Sequence, residues 1–510
     1  MQLPLLLRGI DPLEITGRPD GEVASICYDS RLCVEGSLFV AIPGLKADGH
    51  AFIADALARG ARFIVHERDY TPPPGITSLR VHNSRRILGI LGKNYFRDPS
   101  AGIALIAVVG TNGKTTITYL LESILRAAGH TVGVLGTVNY RYGGKTLPAP
   151  NTTPESFEMQ RILREMKDHG VTHAVAEVSS HALDLKRVDD CAFDLGIFTN
   201  LTQDHLDYHG TMENYFQAKK RFFSEVLPRG GKALGRRMIV NADDPWGRRI
   251  LREVEGSRLS YGIETPGDLA ADSFRLSLEG IEATLRLEGE RFSVTSPLAG
   301  RYNLSNILAA VAGAAAIGTP IGRIQEGVAA LGRVPGRLER VSEKGQPAVF
   351  VDYAHTDDAL RRVLQTLRLF RQGRIITVFG CGGDRDRGKR PLMGEAATGY
   401  SDLAIVTSDN PRTEDPLSII GEIEAGIRVT KLADAREPAR EPALRGYLVI
   451  PDRKEAIAAA IGLAAGEDIV LIAGKGHEDY QIIGTRKIPF DDRVIAREEL
   501  KRRLGGGKGP

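Results

Sequence analysis

Residues 102–129, "GIALIAVVGTNGKTTITYLLESILRAAG", decide how this chain is read. A run of Ile, Ala, Leu and Val ends in glycine, and beyond the next glycine the apolar positions recur at helical spacing. The pattern is strand, glycine turn, helix. Such a loop leaves backbone N–H groups free at the positive end of the helix, where they cradle phosphates. Gly110, Thr111, Asn112, Gly113, Lys114, Thr115 and Thr116 form that loop. The Lys114 ammonium suits β- and γ-phosphates, and the Thr115 hydroxyl suits Mg²⁺. The first glycine of the usual P-loop spacing falls at Val108, so the nucleotide reading rests on strand, Gly-Lys-Thr and helix together.

Outward from this loop, further strand-like runs follow at "THAVAEV" (172–178), "FDLGIFTN" (193–200) and "RMIVNADD" (237–244). Upstream, "GSLFVAIPG" (36–44) and "ARFIVHE" (61–67) flank a helical "HAFIADALARGA", and "FRDPSAG" (96–102) reads as a linker. Downstream of an alanine-rich helix at 303–318, a turn at 333–339 begins a third block. There "AVFVDYAH", "RIITVFGCGG", "LAIVTSDNP" and "DIVLIAGKGHED" alternate with helical patterns, as in parallel βαβ units. All four runs end in polar or charged residues. Ligands of open α/β sheets bind outside the carboxyl ends of strands, so four decorated ends point to one crevice. One of them, at 405–416, breaks from apolar residues straight into Asp409, Asn410, Pro411 and Arg412, which in isolation reads as a turn.

A chain of 510 residues is too long for one core, and about 150 residues per domain suggests three. The fold class expected is α/β, with boundaries at 1–98, 99–334 and 335–510: a small α/β domain, a central P-loop ATPase-like domain with a parallel sheet, and a Rossmann-like C-terminal domain. The tail "GGGKGP" (505–510) is expected to be disordered. The net charge of +3 and the interspersed acids and bases argue against a nucleic-acid or membrane surface. The N-terminus lacks the basic region and cleavage site of a secretory signal, and no apolar run approaches transmembrane length. Cys27, Cys33, Cys191 and Cys381 are scattered, suggesting neither a disulfide framework nor a paired-cysteine zinc site. A reducing cytoplasm fits that usage.

Glu177 ends a strand, and a carboxylate beside phosphate oxygens is an ordinary Mg²⁺ shell. His205, in "TNLTQDHLDYHG" (199–210), reads on its own as a capping or core histidine. Lys219, within Lys219-Lys220-Arg221, reads on its own as part of a solvated basic cluster.

Taken in order, "GTNGKTT", "NTTP", "EVSSHAL", "TNLTQDHLDYHG", "NYFQAKKRFF", "YNLSNILAA", "PGRLE", "DYAHT", "GCGGDRDRGKRPLMG", "SDNPR" and "GKGHE" resemble the Mur ligases over essentially the whole chain. The phosphate loop is that family's own variant. The resemblance implies ATP-driven phosphorylation of a carboxylate, attack on the acyl phosphate by an amine, and release of ADP and phosphate. Such chemistry needs charge neutralisation and alignment more than covalent help. It assigns Glu177 and His205, with Thr115, to Mg²⁺, and Lys219 to a carbamylated lysine whose carbamate serves a second Mg²⁺. Asn306 is placed near adenine, Arg337 and Asp352 reach ATP across a domain boundary, and His355 lies nearby.

For a UDP-MurNAc-L-Ala-D-Glu substrate, the resemblance gives the first domain uridine contacts at Tyr28, Ser30, Leu45, Lys46 and Ala47. It gives phosphate, sugar and peptide contacts to Asn151, Thr152, Thr153, Ser179 and Arg187. Leu185 stands where some relatives carry glutamine. Asp409, Asn410, Pro411, Arg412, Arg385, Gly474 and Glu478 form the pocket for the added amino acid, and the arginine of "DNPR" implies meso-diaminopimelate. Arg412 and Arg385 suit carboxylates, and Asp409 and Glu478 suit ammonium groups. Lysine lacks the distal carboxylate and would leave an arginine poorly paired. A monomer is expected. The competing readings are a lysine-adding or D-Ala-D-Ala-adding relative, a folylpolyglutamate synthase, a nucleotide-dependent switch and a kinase.

Overall fold

Three parallel-cored sheets organise the chain, and their strand ends set up the site. The computed structural model describes residues 1–44, 47–230, 237–343, 345–435, 437 and 445–505. Leu45, Lys46 and the tail beyond 505 lie outside the described residues, so the uridine expectation at the first two and the disorder expected of the tail are not addressed. The first sheet holds β1 (Glu14–Thr16), β2 (Ile26–Cys27), β3 (Leu38–Val40), β4 (Phe63–His66) and β5 (Thr77–Arg80) in the order β1-β5-β4-β3-β2. β2 to β5 are parallel and β1 closes the edge antiparallel.

The central sheet has eleven strands: β6 (Ala104–Val109), β7 (Val132–Leu135), β8 (Asn139–Tyr142), β9 (Lys145–Pro148), β10 (His173–Val178), β11 (Leu195–Phe198), β12 (Arg237–Asn241), β13 (Ser257–Gly262), β14 (Leu269–Leu276), β15 (Ile281–Leu287) and β16 (Glu290–Ser296). Their order is β16-β15-β14-β13-β12-β11-β6-β10-β7-β8-β9. The inner strands are parallel, as expected. Both margins are antiparallel ribbons, which the sequence reading did not anticipate. Short turns at Gly143-Gly144, 277–280 and Glu288-Gly289 join these strands, and connections that short can only link antiparallel neighbours. β6 is buried on both faces. Ile106 and Val108 pack with Ile117 and Leu121, whereas Leu105, Ala107 and Val109 belong to the core containing Ile162 and Leu163.

The third sheet runs β17-β18-β22-β19-β20-β21, with β17 (Glu339–Arg340), β18 (Ala348–Asp352), β19 (Ile375–Phe379), β20 (Leu403–Val406), β21 (Gly446–Val449) and β22 (Ile469–Ala473). All pairings except β17 with β18 are parallel. A hairpin of β23 (Tyr480–Ile483) and β24 (Arg486–Pro489) follows.

The first unit is fastened to the central one by the helix Ser84–Tyr95 lying against the helix Ser156–Asp168. Gly89 permits this approach, since a Cβ there would stand 2.3 Å from Asp190 Oδ2. Arg86 pairs with the same carboxylate. No helix among the described residues is long and apolar enough to cross a membrane.

Candidate active site

The phosphate loop leaves the carboxyl end of β6 and enters the helix Lys114–Ala127. β-pairing sets Glu177 beside Val108 and Phe198 beside Val109, so three strand ends and their loops meet here. Gly113 caps the helix at φ 89°, and a Cβ on it would come within 2.4 Å of Asn306 Oδ1. Only glycine meets both demands. Asn306 therefore abuts the loop from the helix Arg301–Ala316. Asn112 N–H donates to Asn200 Oδ1 at 3.0 Å, and the Thr199 hydroxyl donates to the Asn112 carbonyl at 2.7 Å. The Thr111 hydroxyl lies 3.1 Å from that of Tyr215, and Thr116 is buried in the first turn of the helix.

Lys114 Nζ donates to the carbonyls of Gly110 and Thr111, both at 2.9 Å. Burial lowers its pKa, and Glu177 and Asp204 oppose that shift. Lys219 is 1 % exposed and donates to the same Gly110 carbonyl at 2.9 Å, with its nitrogen 4.5 Å from the Tyr215 ring centroid. Burial first, and then the charge of Lys114, push its pKa well below the ordinary lysine value. The helix Met212–Arg221 thus delivers a readily neutralised amine to the loop.

Glu177 accepts from the Thr115 hydroxyl at 3.2 Å, the Thr137 hydroxyl at 2.9 Å and Thr137 N–H at 3.0 Å. Arg337 Nη2, from the third unit, donates to the Thr115 hydroxyl at 3.2 Å. A hydroxyl and a carboxylate side by side at a phosphate loop fit Mg²⁺, a hard cation that takes one or two protein oxygens and completes its shell with phosphate and water. His205 sits at φ 54° just before the helix Leu206–His209. Its Nε2 is 3.4 Å from Asp204, and its ring stands edge-on to His181 at 4.7 Å. Burial, with like charge from His181, Lys114 and Lys219, pushes its pKa down to about 4 against the pull of Asp204, so it is a neutral donor at neutral pH. The hydrogen bonds of Glu177 run to Thr115 and Thr137. Among the described residues no three His, Cys, Asp or Glu side chains form a metal-sized cluster.

Arg337 and Asp352, given one task by the sequence reading, occupy different places. Asp352 is buried, and its two oxygens accept from Leu338 N–H at 2.6 Å and Ala354 N–H at 2.8 Å, clamping the turn that carries Arg337. Burial raises its pKa. Arg337 extends forward, its guanidinium 4.6 Å over the Tyr353 ring. His355 Nδ1 lies 2.9 Å from the Tyr353 carbonyl, and burial lowers its pKa.

A cavity of about 750 Å³ opens between the 203–207 segment and the carboxyl ends of the third sheet. His205 lines it from the 203–207 segment, and His355, Arg385, Asp409, Asn410, Arg412, Gly474 and Glu478 line it from the third unit. Arg412 adopts φ 53°, and its Nη1 donates to the Gly383 carbonyl at 2.6 Å. The Pro411 carbonyl accepts from Glu414 N–H, closing the turn. Asn410 Nδ2 donates to Glu478 Oε2 at 2.9 Å, and its Oδ1 accepts from Ile482 N–H at 2.9 Å. Behind this wall lies Lys475, fully buried, which sequence reasoning missed inside its own "GKGHE" motif.

The remaining candidates extend from Glu177 towards the first unit. Thr152 and Thr137 hydroxyls are 3.1 Å apart. Thr153 Oγ1 donates to the Glu177 carbonyl at 2.8 Å and accepts from Ser179 N–H at 3.1 Å. Arg187 Nη1 donates to the Thr153 carbonyl at 3.1 Å, and its Nε is 3.3 Å from Glu155, which also pairs with Arg85 of the first unit at 3.0 Å. Tyr28 faces this group, its pKa pushed up to about 12 by burial and by Glu158 and Glu155. Ser30 is buried in the turn capped by Asp29. Asn151 is exposed, with its carbonyl accepting from the Tyr140 hydroxyl at 2.5 Å. Leu185 ends the helix Ser180–Asp184, and Ala47 is exposed. Arg85 and Glu155 carried no motif; only folding makes them a pair.

Known proteins match this chain over nearly its whole length. The Mur ligase family catalytic domain matches residues 22–95, the Mur ligase middle domain residues 108–314, and the Mur ligase glutamate ligase domain residues 336–476. The UDP-N-acetylmuramoyl-L-alanyl-D-glutamate–2,6-diaminopimelate ligase of Geobacter metallireducens is 47% identical, with 100% of each chain covered. The ligase of the same name from Solibacter usitatus is 46% identical, with 94% of each covered. A solved structure of a protein so named superposes with a TM-score of 0.69 at 32% identity, covering 98% of this chain and 99% of the other. A MurF ligase from Thermotoga maritima in complex with ADP shares the fold at 20% identity, with a TM-score of 0.63 and coverage of 94% and 98%.

Proposed function

Since the chain belongs to the Mur ligase family, we propose that it is the ATP-dependent ligase that joins meso-2,6-diaminopimelate to the D-Glu γ-carboxylate of UDP-MurNAc-L-Ala-D-Glu in peptidoglycan precursor synthesis. One observation carries the chemistry: residues 203–207 line the cavity, and the adjoining Thr202 N–H donates to Thr111 Oγ1 of the phosphate loop at 3.2 Å. That continuity supports a carboxylate activated at the loop meeting an amine held in the cavity. Residues 1–98 take the UDP end of the substrate, 99–334 take ATP, and 335–510 take the amino acid.

Carboxylate is a poor electrophile, and its attack on the γ-phosphorus brings two anions together. Lys114 and Arg337 place cations there, and Gly110–Thr116 supplies N–H donors. The γ-phosphoryl passes to the D-Glu γ-carboxylate and ADP leaves. One diaminopimelate amine, deprotonated, attacks the acyl carbon; phosphate departs and the amide forms. Thr115 and Glu177 would hold Mg²⁺, which supplies charge neutralisation at the phosphates, and His205 lies on the same side as a neutral donor. Lys219, as a neutral amine, would add CO₂ with loss of a proton, and its carbamate would supply oxygens for a second Mg²⁺. Arg412 and Arg385 receive the distal carboxylate, and Asp409 and Glu478 face the distal ammonium. Arg187, Ser179, Thr153, Thr152 and Asn151 line the path to the UDP end, with Tyr28, Ser30 and Ala47 at that end. The same reading makes the enzyme a cytoplasmic monomer.

The test is ADP release with UDP-MurNAc-L-Ala-D-Glu and either meso-diaminopimelate or L-lysine, with product mass. Release with diaminopimelate alone supports the proposal. Release with lysine refutes the pocket assignment, and release with neither refutes the ligase.

A further inference from the structure

Lys475 Nζ lies 3.0 Å from Asn410 Oδ1, 3.0 Å from Glu478 Oε2 and 3.6 Å from Asp409 Oδ1. Its side chain is fully buried, yet it is not part of the cavity wall, whereas all three of its partners are. A buried ammonium with three oxygen acceptors is well compensated, and removing it would leave its partners uncompensated. It also decides the orientation of a neutral group. Because Lys475 and Ile482 N–H both donate to Asn410 Oδ1, the Asn410 NH₂ must face Glu478. Gln481 Nε2 holds the Asp409 carbonyl at 2.6 Å, so the strand end itself is fastened from the same side.

We propose that Lys475 is a positioning residue that sets the charge of the ammonium-reading end of the amino-acid pocket. This rests on the function proposed above. Two carboxylates and one fixed internal ammonium leave a single net negative charge at that end. One incoming ammonium balances it; a second finds no partner. Arg412 and Arg385 then read the carboxylate beside that ammonium, so the pocket fits an amino acid whose far end is itself zwitterionic. Without Lys475 the same end carries two negative charges, and Asn410 is free to turn its amide. A more cationic far end, such as that of L-lysine, becomes relatively more acceptable, while the zwitterion loses its preset partners.

The test compares wild type, Lys475→Met and Lys475→Gln in steady-state ADP release, varying meso-diaminopimelate, ATP and the UDP-dipeptide substrate separately, with L-lysine as the competing amine. Lys475→Met is expected to raise KM for diaminopimelate about tenfold or more, as for a lost charge-assisted contact, and to narrow the diaminopimelate-to-lysine ratio of kcat/KM. KM for ATP should stay within about twofold, because the phosphate loop lies in another sheet. Lys475→Gln, which keeps a donor for Asn410 without the charge, should recover part of the diaminopimelate KM but not the discrimination against lysine. An unchanged diaminopimelate KM in Lys475→Met overturns the inference. So does a parallel rise in all three KM values, or no soluble variant from either substitution, since each marks a residue that serves only the fold. If wild type itself releases no ADP with diaminopimelate, the functional reading fails first and the inference falls with it.

Discussion

The side-chain nitrogens of Lys114 and Lys219 converge on one acceptor, the carbonyl oxygen of Gly110, each at 2.9 Å. Two lysines this close cannot comfortably both be charged, and burial weighs in the same direction for each. The proposed function makes the Lys219 amine the one that takes up CO₂, and Lys114 the cation available to phosphate. Incubation with ¹³C-bicarbonate should give a carbamate resonance in wild type that disappears in Lys219→Ala. A resonance surviving in that variant would place the modification elsewhere. Lys114→Met should lower kcat by about a thousandfold, because a cation at the transferring phosphoryl group is lost. Activity within tenfold of wild type would refute its role.

Gly113 combines φ 89° with an approach that would leave a Cβ 2.4 Å from Asn306 Oδ1. Gly113→Ala should destabilise the fold by about 1–3 kcal/mol and raise KM for ATP, since the backbone must shift where phosphate is cradled. Thermal unfolding with and without ADP checks this. A variant that melts like wild type and gains the same stabilisation from ADP contradicts it.

Arg412 reaches the cavity from a left-handed backbone position at φ 53°, anchored by its contact with the Gly383 carbonyl. Arg412→Ala should raise KM for diaminopimelate about tenfold to a hundredfold, with little change for ATP, because a carboxylate loses its charged partner. The diaminopimelate-to-lysine preference should shrink with it. Unchanged diaminopimelate kinetics would remove Arg412 from the pocket.

His173 opens β10 with its ring centroid 3.9 Å from that of His130, and burial, followed by the His130 charge, pushes its pKa down to about 4. The folded value lies below the unfolded 6.5, so in that interval the unfolded chain binds the proton first. Stability therefore falls as pH drops from 6.5 towards 4. Replacing the residue by Gln should make the urea midpoint depend less steeply on pH between 6.5 and 5. Identical slopes for wild type and His173→Gln would show that other groups dominate.

Much of this protein was legible locally. Strand, glycine loop and helix follow one another in 102–129, and the polar strand ends at 352, 380, 407 and 474 announce a crevice, because periodicity and turn chemistry act over a few residues. The order of the motifs pointed to the family, and the family-domain matches bear that out. The antiparallel margins at 139–148 and 269–296 were missed although their turns are short, because apolar runs do not state their pairing partner.

What only tertiary structure decided is which atoms meet. Lys219, Lys220 and Arg221 read as one solvated cluster, yet Lys219 is buried at Gly110, Lys220 pairs with Glu253 at 2.8 Å, and Arg221 pairs with Asp189. Successive residues of a helix point about 100° apart, so neighbours in sequence enter different environments once the helix is packed. Chain folding likewise hid Lys475 behind Glu478 in the loop after β22, and brought Arg85 to Glu155 across 70 positions of chain. Sequence carried the chemistry of each strand end; packing assigned each charge its partner, because burial and distance are properties of the folded chain alone.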